Sequence, residues 1–330
     1  MENLPRWICQ RSRIIARVLP PLFGLGIFGL CLWAIQQELG RYSLQDVLRS
    51  VQAIPAPSLA AALVLVALSY LTLTGYDALA VRFARCPLPY RRTALVACLT
   101  YAISRSAGFS ALSGSAIRYR FYRRWGVSNW AIAQVIAFCG LSFWVGLFAV
   151  GGGLFAVWPP PIPTDLPLSE ALLRQVGWLG LVLTAAYFAW SALSPRGLTL
   201  WGRVVPRLPL SLAIAQLGLT LLDWLLAAGI LALLLPKVGY LTVFQAYLLA
   251  QFAGVFSTVP GGLGVFETVL LLILSTPADR LLAALLVYRL IYFLLPLVGA
   301  IAVLVGYEVW VRRKPSAGER EKSAEIRYRK

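Results

Sequence analysis

Residues 257–267 read Ser257-Thr258-Val259-Pro260-Gly261-Gly262-Leu263-Gly264-Val265-Phe266-Glu267, a proline and three glycines followed by a carboxylate. On both sides the chain is apolar, from about 241 to 275. A bilayer core accepts about 20 apolar residues per helical span, so this stretch is long enough to enter one. Pro260 and the glycines break any helix near its middle. Broken backbone survives at membrane depth only where protein buries it or water reaches it. The stretch therefore reads as a re-entrant helical hairpin. Three full crossings would satisfy the count of spans equally.

Working outward, further apolar blocks lie at about 19–37, 57–79, 129–157, 175–193, 210–235 and 279–308, with a shorter stretch at 93–112. The chain has 330 residues, 59% of them hydrophobic, and a mean hydropathy of +0.76. A soluble core could account for one such block but not for all of them. The block at 19–37 follows a basic segment without a small-x-small cleavage site, so it reads as an uncleaved first span rather than a signal peptide.

Positive charge follows the loops. Most of the 30 Lys and Arg gather in 1–18, 80–92, 118–126, 194–208 and 311–330, and the net charge is +17. In a soluble chain that charge would suggest nucleic acid. Here it marks cytoplasmic loops and contact with anionic headgroups, and nucleic acid is not an expected partner. Both ends of the chain are then expected in the cytoplasm. The 38–56 loop and the Trp158-Pro159-Pro160-Pro161-Ile162-Pro163 loop fall outside. The 93–117 stretch has basic flanks on both sides, so it too reads as a re-entrant hairpin, entered from the cytoplasm. The expected fold is an all-α polytopic membrane protein of about six full spans plus two re-entrant helical hairpins. Residues 1–310 form the membrane domain, and 311–330 form a basic, disordered cytoplasmic tail.

The halves at about 19–157 and 175–308 read alike: span, span, hairpin, span. Leu71-Thr72-Leu73-Thr74-Gly75-Tyr76-Asp77 resembles Leu217-Gly218-Leu219-Thr220-Leu221-Leu222-Asp223. Ser113-Gly114-Ser115-Ala116-Ile117-Arg118 parallels Gly262-Leu263-Gly264-Val265-Phe266-Glu267. Each half has an odd number of crossings, so the second is inverted. Inverted repeats with broken helices at their interface are a transporter architecture.

Ionisable groups at membrane depth cost about 2.5–3.5 kcal/mol or more at a helix centre, which makes each a functional candidate. The chain offers Asp77, Arg105, Arg118, Asp223, Glu267 and Arg289. Gln216, Thr220 and Asp223 share one helix face, as do Tyr70, Thr74 and Asp77, which suggests a polar cavity between the halves. The competing reading is structural: ion pairs such as Asp77 with Arg118, or Asp223 with Arg289, that lock helices together. The helix start after Pro260-Gly261-Gly262-Leu263-Gly264 favours an anion such as a phospholipid phosphate. Glu267 could serve there as an N-terminal charge partner or meet a cationic headgroup. Ser113, Gly114 and Ser115 form a second small-residue helix start, and Arg118 beside it suits a phosphate. Arg120, Arg123 and Arg124 read as interfacial anchors. The Gly151-Gly152-Gly153 run reads as a helix ending. Five cysteines form no CxxC pair, and histidine is absent. No catalytic or metal-binding set is found, and no cofactor is expected.

Ser257–Glu267, Gly114-Ser115-Ala116-Ile117-Arg118-Tyr119-Arg120 and Tyr288-Arg289-Leu290-Ile291-Tyr292-Phe293-Leu294-Leu295-Pro296-Leu297, taken in order, resemble the membrane domain of the lysylphosphatidylglycerol synthase/flippase family, the bacterial multiple peptide resistance factors. The resemblance runs from the first span to about residue 310. It implies a domain that flips aminoacylated phosphatidylglycerol and so contributes to antimicrobial peptide resistance. It also implies importance for Asp77, Arg118, the Pro-Gly-Gly motif and Glu267. The family's synthase domain has no counterpart before Lys330, so aminoacyl transfer is not expected. The expectation is a lipid translocase for an anionic or aminoacylated phospholipid, or another lipid-linked molecule. Its substrate-binding candidates are Asp77, Arg118, Asp223, Glu267, Arg289, Ser113, Ser115, Pro260, Gly261, Gly262 and Gly264. A separate lipid-modifying synthase and a second copy of the chain are candidate partners. A small-solute or ion transporter and a non-transporting scaffold are the alternatives.

Overall fold

A computed structural model describes residues 44–107, 110–162, 169–194, 197–200, 203–257, 259 and 262–313. The expected first span, Pro260, Gly261 and residues 314–330 of the tail lie outside these residues, as does the side chain of Ser113.

The described chain opens with a short helix, α1 (Leu44–Gln52), in the loop expected to lie outside. Pro55 and its extended backbone start α2 (Ala56–Phe83), which fits the preference for proline at a helix entry. At about 42 Å, α2 is longer than a hydrocarbon core is thick. It ends just before Arg85, which takes a positive φ of 53°. A helical pair follows, α3 (Tyr90–Ala107) and α4 (Ser110–Arg124). The next helix is α5 (Asn129–Gly146), capped by the Ser128 hydroxyl, which accepts the Ala131 N–H. It passes through a π turn, π1 (Leu147–Gly151), into α6 (Gly152–Val157). Then come α7 (Glu170–Leu193) and α8 (Leu210–Leu234). The second helical pair is α9 (Tyr240–Phe256) and α10 (Val265–Ile273). The last helix is α11 (Ala278–Arg289), π2 (Leu290–Leu294) and α12 (Leu295–Arg313) in one run.

Among the described residues, five helices are long and apolar enough to cross a membrane: 56–83, 129–157, 170–193, 210–234 and 278–307. They coincide with five of the six expected spans, and the sixth lies outside the described residues. Exposed apolar side chains cover the outer faces of α7 and α12, among them Trp178, Val182, Val298 and Ile301. An apolar surface of that extent belongs in lipid. This is a multi-pass membrane protein.

Two expectations need correction. The basic 194–208 segment is not all loop: β1 (Leu198–Leu200) and β2 (Arg203–Val205) pair antiparallel, with Thr199 opposite Val204. The β-branched residues there favour extended backbone over helix. The Gly151-Gly152-Gly153 run does not end a helix. It lies inside the continuous run from α5 to α6, where Gly152 lets α7 approach backbone to backbone. A Cβ on Gly177 would lie 2.5 Å from the Ala156 nitrogen and 2.9 Å from the Gly152 carbonyl oxygen. Small residues permit this packing where lipid supplies no hydrophobic drive.

The helix directions follow from contacts. Gly229 faces Leu65, Asp223 bonds Ser69, and Leu219 packs on Gly75, so α2 and α8 run antiparallel. The base of the first pair lies at the carboxyl end of α2. The base of the second pair lies at the carboxyl end of α8, and therefore at the amino end of α2. A second contact agrees. Ser50 of α1 donates to Asp279 at 2.8 Å, which places the start of α11 beside the start of α2. The two helical pairs are thus rooted at opposite ends of the bundle. The described basic loops share one end: Arg92 lies over Trp125, Arg124 over Tyr307, and Leu208 belongs to the same buried cluster as Ala84, Phe121 and Val127.

The packing repeats as the sequence does. α2 touches α3 and α5 while α4 bridges to α5; α8 touches α9 and α11 while α10 bridges to α11. Each half also reaches into the other: π1 packs on α8 and α9, and π2 packs on α2 and α3.

Candidate functional site

The first cluster sits on the buried face of α2. Arg118 of α4 donates from Nε and Nη2 to the two oxygens of Asp77, at 2.8 and 2.7 Å. Tyr122 donates to the same carboxylate at 3.3 Å, and the Cys139 thiol at 3.8 Å. The guanidinium also lies 5.2 Å from the Tyr101 ring centre. Relative exposure is 7% for the Arg118 side chain and 0% for Asp77, so this pair is closed off. α3 and α4 approach closely beside it. A Cβ on Gly114 would lie 2.7 Å from the Ser104 hydroxyl and 3.1 Å from Cγ2 of Thr100, so a larger residue there would force side chains of α3 to shift. Ser115 is half-buried on α4, one turn before Arg118.

The second cluster is built at the tip of the second pair. Gly264 holds φ at +81°, a conformation glycine adopts without penalty, and starts α10. Glu267 turns back and accepts the Gly264 N–H at 2.8 Å, an N-terminal capping contact. Its other oxygen accepts Nε of Arg289 at 2.5 Å. Gly262, at φ +60°, packs against the backbone of Gly254. The carboxylate therefore has its cation within the same half. The Thr268 hydroxyl beside it is buried without a partner among the described residues.

The third cluster joins the halves. Asp223, near the middle of α8, accepts the Ser69 hydroxyl at 3.1 Å and Nη2 of Arg105 at 3.5 Å. The expected pair of Asp223 with Arg289 does not form. Arg289 ends α11 and is taken by Glu267, whereas Asp223 faces α2 and α3. Arg105 lies one helical turn from the tip of the first pair, with its guanidinium 4.7 Å from the Tyr292 ring centre. Tyr292 and Ser69 share a hydrogen bond of 2.9 Å. Beyond it Tyr288 donates to Tyr247 at 3.2 Å, and Gln251 donates to Tyr247 at 2.9 Å. This pair is more open than the first, at 22% for Arg105 and 14% for Asp223. Nη1 of Arg105 is buried and has no hydrogen-bond partner among the described residues.

Pro296 shapes this third cluster. It has no N–H to offer the Tyr292 carbonyl one turn back, so the helix widens through π2. The freed carbonyl instead receives the Tyr70 hydroxyl at 3.5 Å.

The two expected polar stripes divide. Asp77 and Asp223 reach the clusters. Gln216 instead packs inside the fold, donating to Ser142 at 2.6 Å and accepting from Tyr187 at 2.5 Å. Thr220 turns back to the Leu217 carbonyl, and Thr74 to that of Leu71. Sequence reasoning flagged Arg105 as ionisable but left it out of the candidate site. It also left out Ser69, Tyr247, Gln251, Tyr288 and Tyr292. The available signal was three tyrosines and a glutamine inside otherwise apolar stretches.

The profile of the lysylphosphatidylglycerol synthase TM region matches residues 22–300. A Synechocystis sp. protein, slr0712, is 43% identical over 307 residues, covering 91% of this chain and 95% of its own length. The inner membrane protein YbhN of Escherichia coli K12 is 28% identical over 306 residues, with 91% and 93% covered. The phosphatidylglycerol lysyltransferase of Staphylococcus haemolyticus is 21% identical over 306 residues, which is 88% of this chain but 34% of that enzyme.

Proposed function

The chain belongs to the family of the lysylphosphatidylglycerol synthase TM region, and from that premise we propose that it moves an anionic or aminoacylated phospholipid between leaflets. One observation carries the reading. Two helical pairs rooted at opposite ends of the bundle bring charged and hydroxyl groups together near the middle of the spans. Broken helices meeting at a repeat interface are how membrane transporters place a polar site at mid-depth. The third cluster offers a guanidinium, a carboxylate and several hydroxyls at that depth. A phosphate and a polyol or ammonium headgroup need those groups once their hydration is stripped.

The Asp77–Arg118 pair serves a different role in this reading. Both partners are spent on each other in a dry site, so the pair fixes the first helical pair to α2. The headgroup passes the more open Arg105–Asp223 cluster instead. Gly264 and Glu267 hold the tip of the second pair in place. The family profile that matches is that of a TM region, which supports a chain that acts on the finished lipid. The relative from Escherichia coli is an inner membrane protein, and the same membrane is assigned here, with the basic end of the bundle in the cytoplasm.

The test is transbilayer movement of fluorescent phosphatidylglycerol in reconstituted vesicles, read by quenching the outer leaflet. Faster exchange than in protein-free vesicles is expected. Equal exchange with and without the protein would remove the proposal and favour a scaffold, a reading supported by the pairing of Asp77, Asp223 and Glu267 with arginines.

A further inference from the structure

Among the described residues three arginines meet carboxylates inside the bundle, and they are not held alike. Arg118 is engaged at two nitrogens within 2.8 Å of Asp77 and is closed off. Arg289 is engaged at 2.5 Å by a carboxylate that also caps a helix. Among the described residues Arg105 has a single carboxylate contact, at 3.5 Å through Nη2. Its Nη1 is buried with no hydrogen-bond partner among the described residues. A buried donor left unmade on a charged group is costly, and native proteins rarely keep one without a use. We infer that Arg105 is an anion-binding residue: its free Nη1 and loosely held Nη2 take a lipid phosphodiester, and Asp223 is the counter-ion that holds it between visits.

The surroundings suit that role. The Tyr292 ring lies 4.7 Å from the guanidinium carbon on one face, and a guanidinium meets a phosphate through a planar, two-pronged contact. The Ser69 and Tyr292 hydroxyls sit beside Asp223, where a polar headgroup can exchange hydrogen bonds with them. Arg105 and Asp223 come from different halves, so a phosphate that replaces the carboxylate also loosens a tie between the halves. The inference rests on the lipid-translocase reading for the source of the phosphate, but the anion site stands on the geometry of Arg105 alone.

The assignment makes a prediction of opposite sign for the two partners of one ion pair. Full-length protein in detergent is titrated with dihexanoyl phosphatidylglycerol and, separately, with inorganic phosphate, and bound ligand is read by calorimetry. Asp223→Asn removes the competing carboxylate and should tighten lipid binding several-fold. Arg105→Gln should weaken it at least tenfold, and Arg105→Lys, which keeps the charge but not the fork, should fall between. A purely structural pair predicts lower stability for both variants and no opposite shift in affinity. Should Arg105→Gln fail to fold, the tightening in Asp223→Asn carries the test. Unchanged or weaker binding in Asp223→Asn overturns the assignment. Inorganic phosphate binding as tightly as the lipid overturns the lipid as the source. Translocation in vesicles is scored separately. Wild-type protein that binds with these opposite shifts but moves no lipid removes the proposed function and leaves the site. Arg105→Gln protein that moves lipid at the wild-type rate does the reverse.

Discussion

Arg118 lays Nε and Nη2 across both carboxylate oxygens of Asp77, and neither side chain is left open to the surroundings. Removing one partner strands the other charge in the dry interior, at a cost of about 3–5 kcal/mol. Asp77→Ala and Arg118→Ala should each lower the unfolding midpoint sharply and reduce the amount of protein in the membrane. The double variant Asp77→Asn/Arg118→Gln should recover part of that loss. A double variant no more stable than the worse single one would mean that the pair is not the source of the effect.

Gly177 meets the Ala156 nitrogen and the Gly152 carbonyl with no room for a methyl group. Backbone cannot rotate aside as a side chain can, so Gly177→Ala should destabilise by about 1–3 kcal/mol. Gly153 has open space where a Cβ would go, and Gly153→Ala is the matched control. Comparing the two in thermal unfolding isolates the α6–α7 contact, and equal midpoints would contradict it.

Glu267 combines a capping contact with an ion pair. Glu267→Gln keeps an acceptor for the Gly264 N–H but gives up the charge opposite Arg289, for an expected loss of about 1.5–3 kcal/mol from the charged hydrogen bond. The loss should be local: hydrogen exchange should quicken at 264–268 and stay unchanged in α2. Uniform quickening across the protein would place the defect elsewhere.

Pro296→Ala supplies the N–H that Tyr292 lacks, so π2 should close to a regular α-helix. The chain before it would then rotate, moving Arg289 and Tyr292 relative to α12. The expected outcome is unchanged or higher stability with slower lipid movement in vesicles. Full transport activity would show that the wide turn is not needed for the site.

The opposite roots of the two helical pairs can be mapped directly. In a cysteine-free background, Arg123→Cys at the basic end and Lys237→Cys at the base of the second pair should react with an impermeant maleimide from opposite faces of the membrane. Labelling from one face would refute the inverted arrangement.

Much of this architecture was legible because lipid imposes a simple rule. Long apolar runs such as 210–235 must be helical when no water can satisfy their backbone, and the observed α8 begins and ends within a residue of that run. The two broken stretches were legible from Gly and Pro placement. Charge pairing was legible for Asp77 and Arg118 but not for Asp223. Which arginine reaches Asp223 depends on how deep the first helical pair reaches. No local pattern reports such a distance. Pro296 was visible, yet a proline inside an apolar run allows a kink, a break or a widened turn. The Tyr70 hydroxyl, 222 residues away in sequence, is part of what selects the last.

The contact between Arg105 and Asp223 also spans time. The two residues are 118 apart in the chain. At translation rates of about 5–20 residues per second, Arg105 leaves the ribosome roughly 6–24 s before its counter-ion. A lone guanidinium is costly at mid-bilayer, so the nascent first hairpin has reason to wait near the surface until α8 arrives. Its final seating is therefore a late event of biogenesis, timed by synthesis of the opposite half.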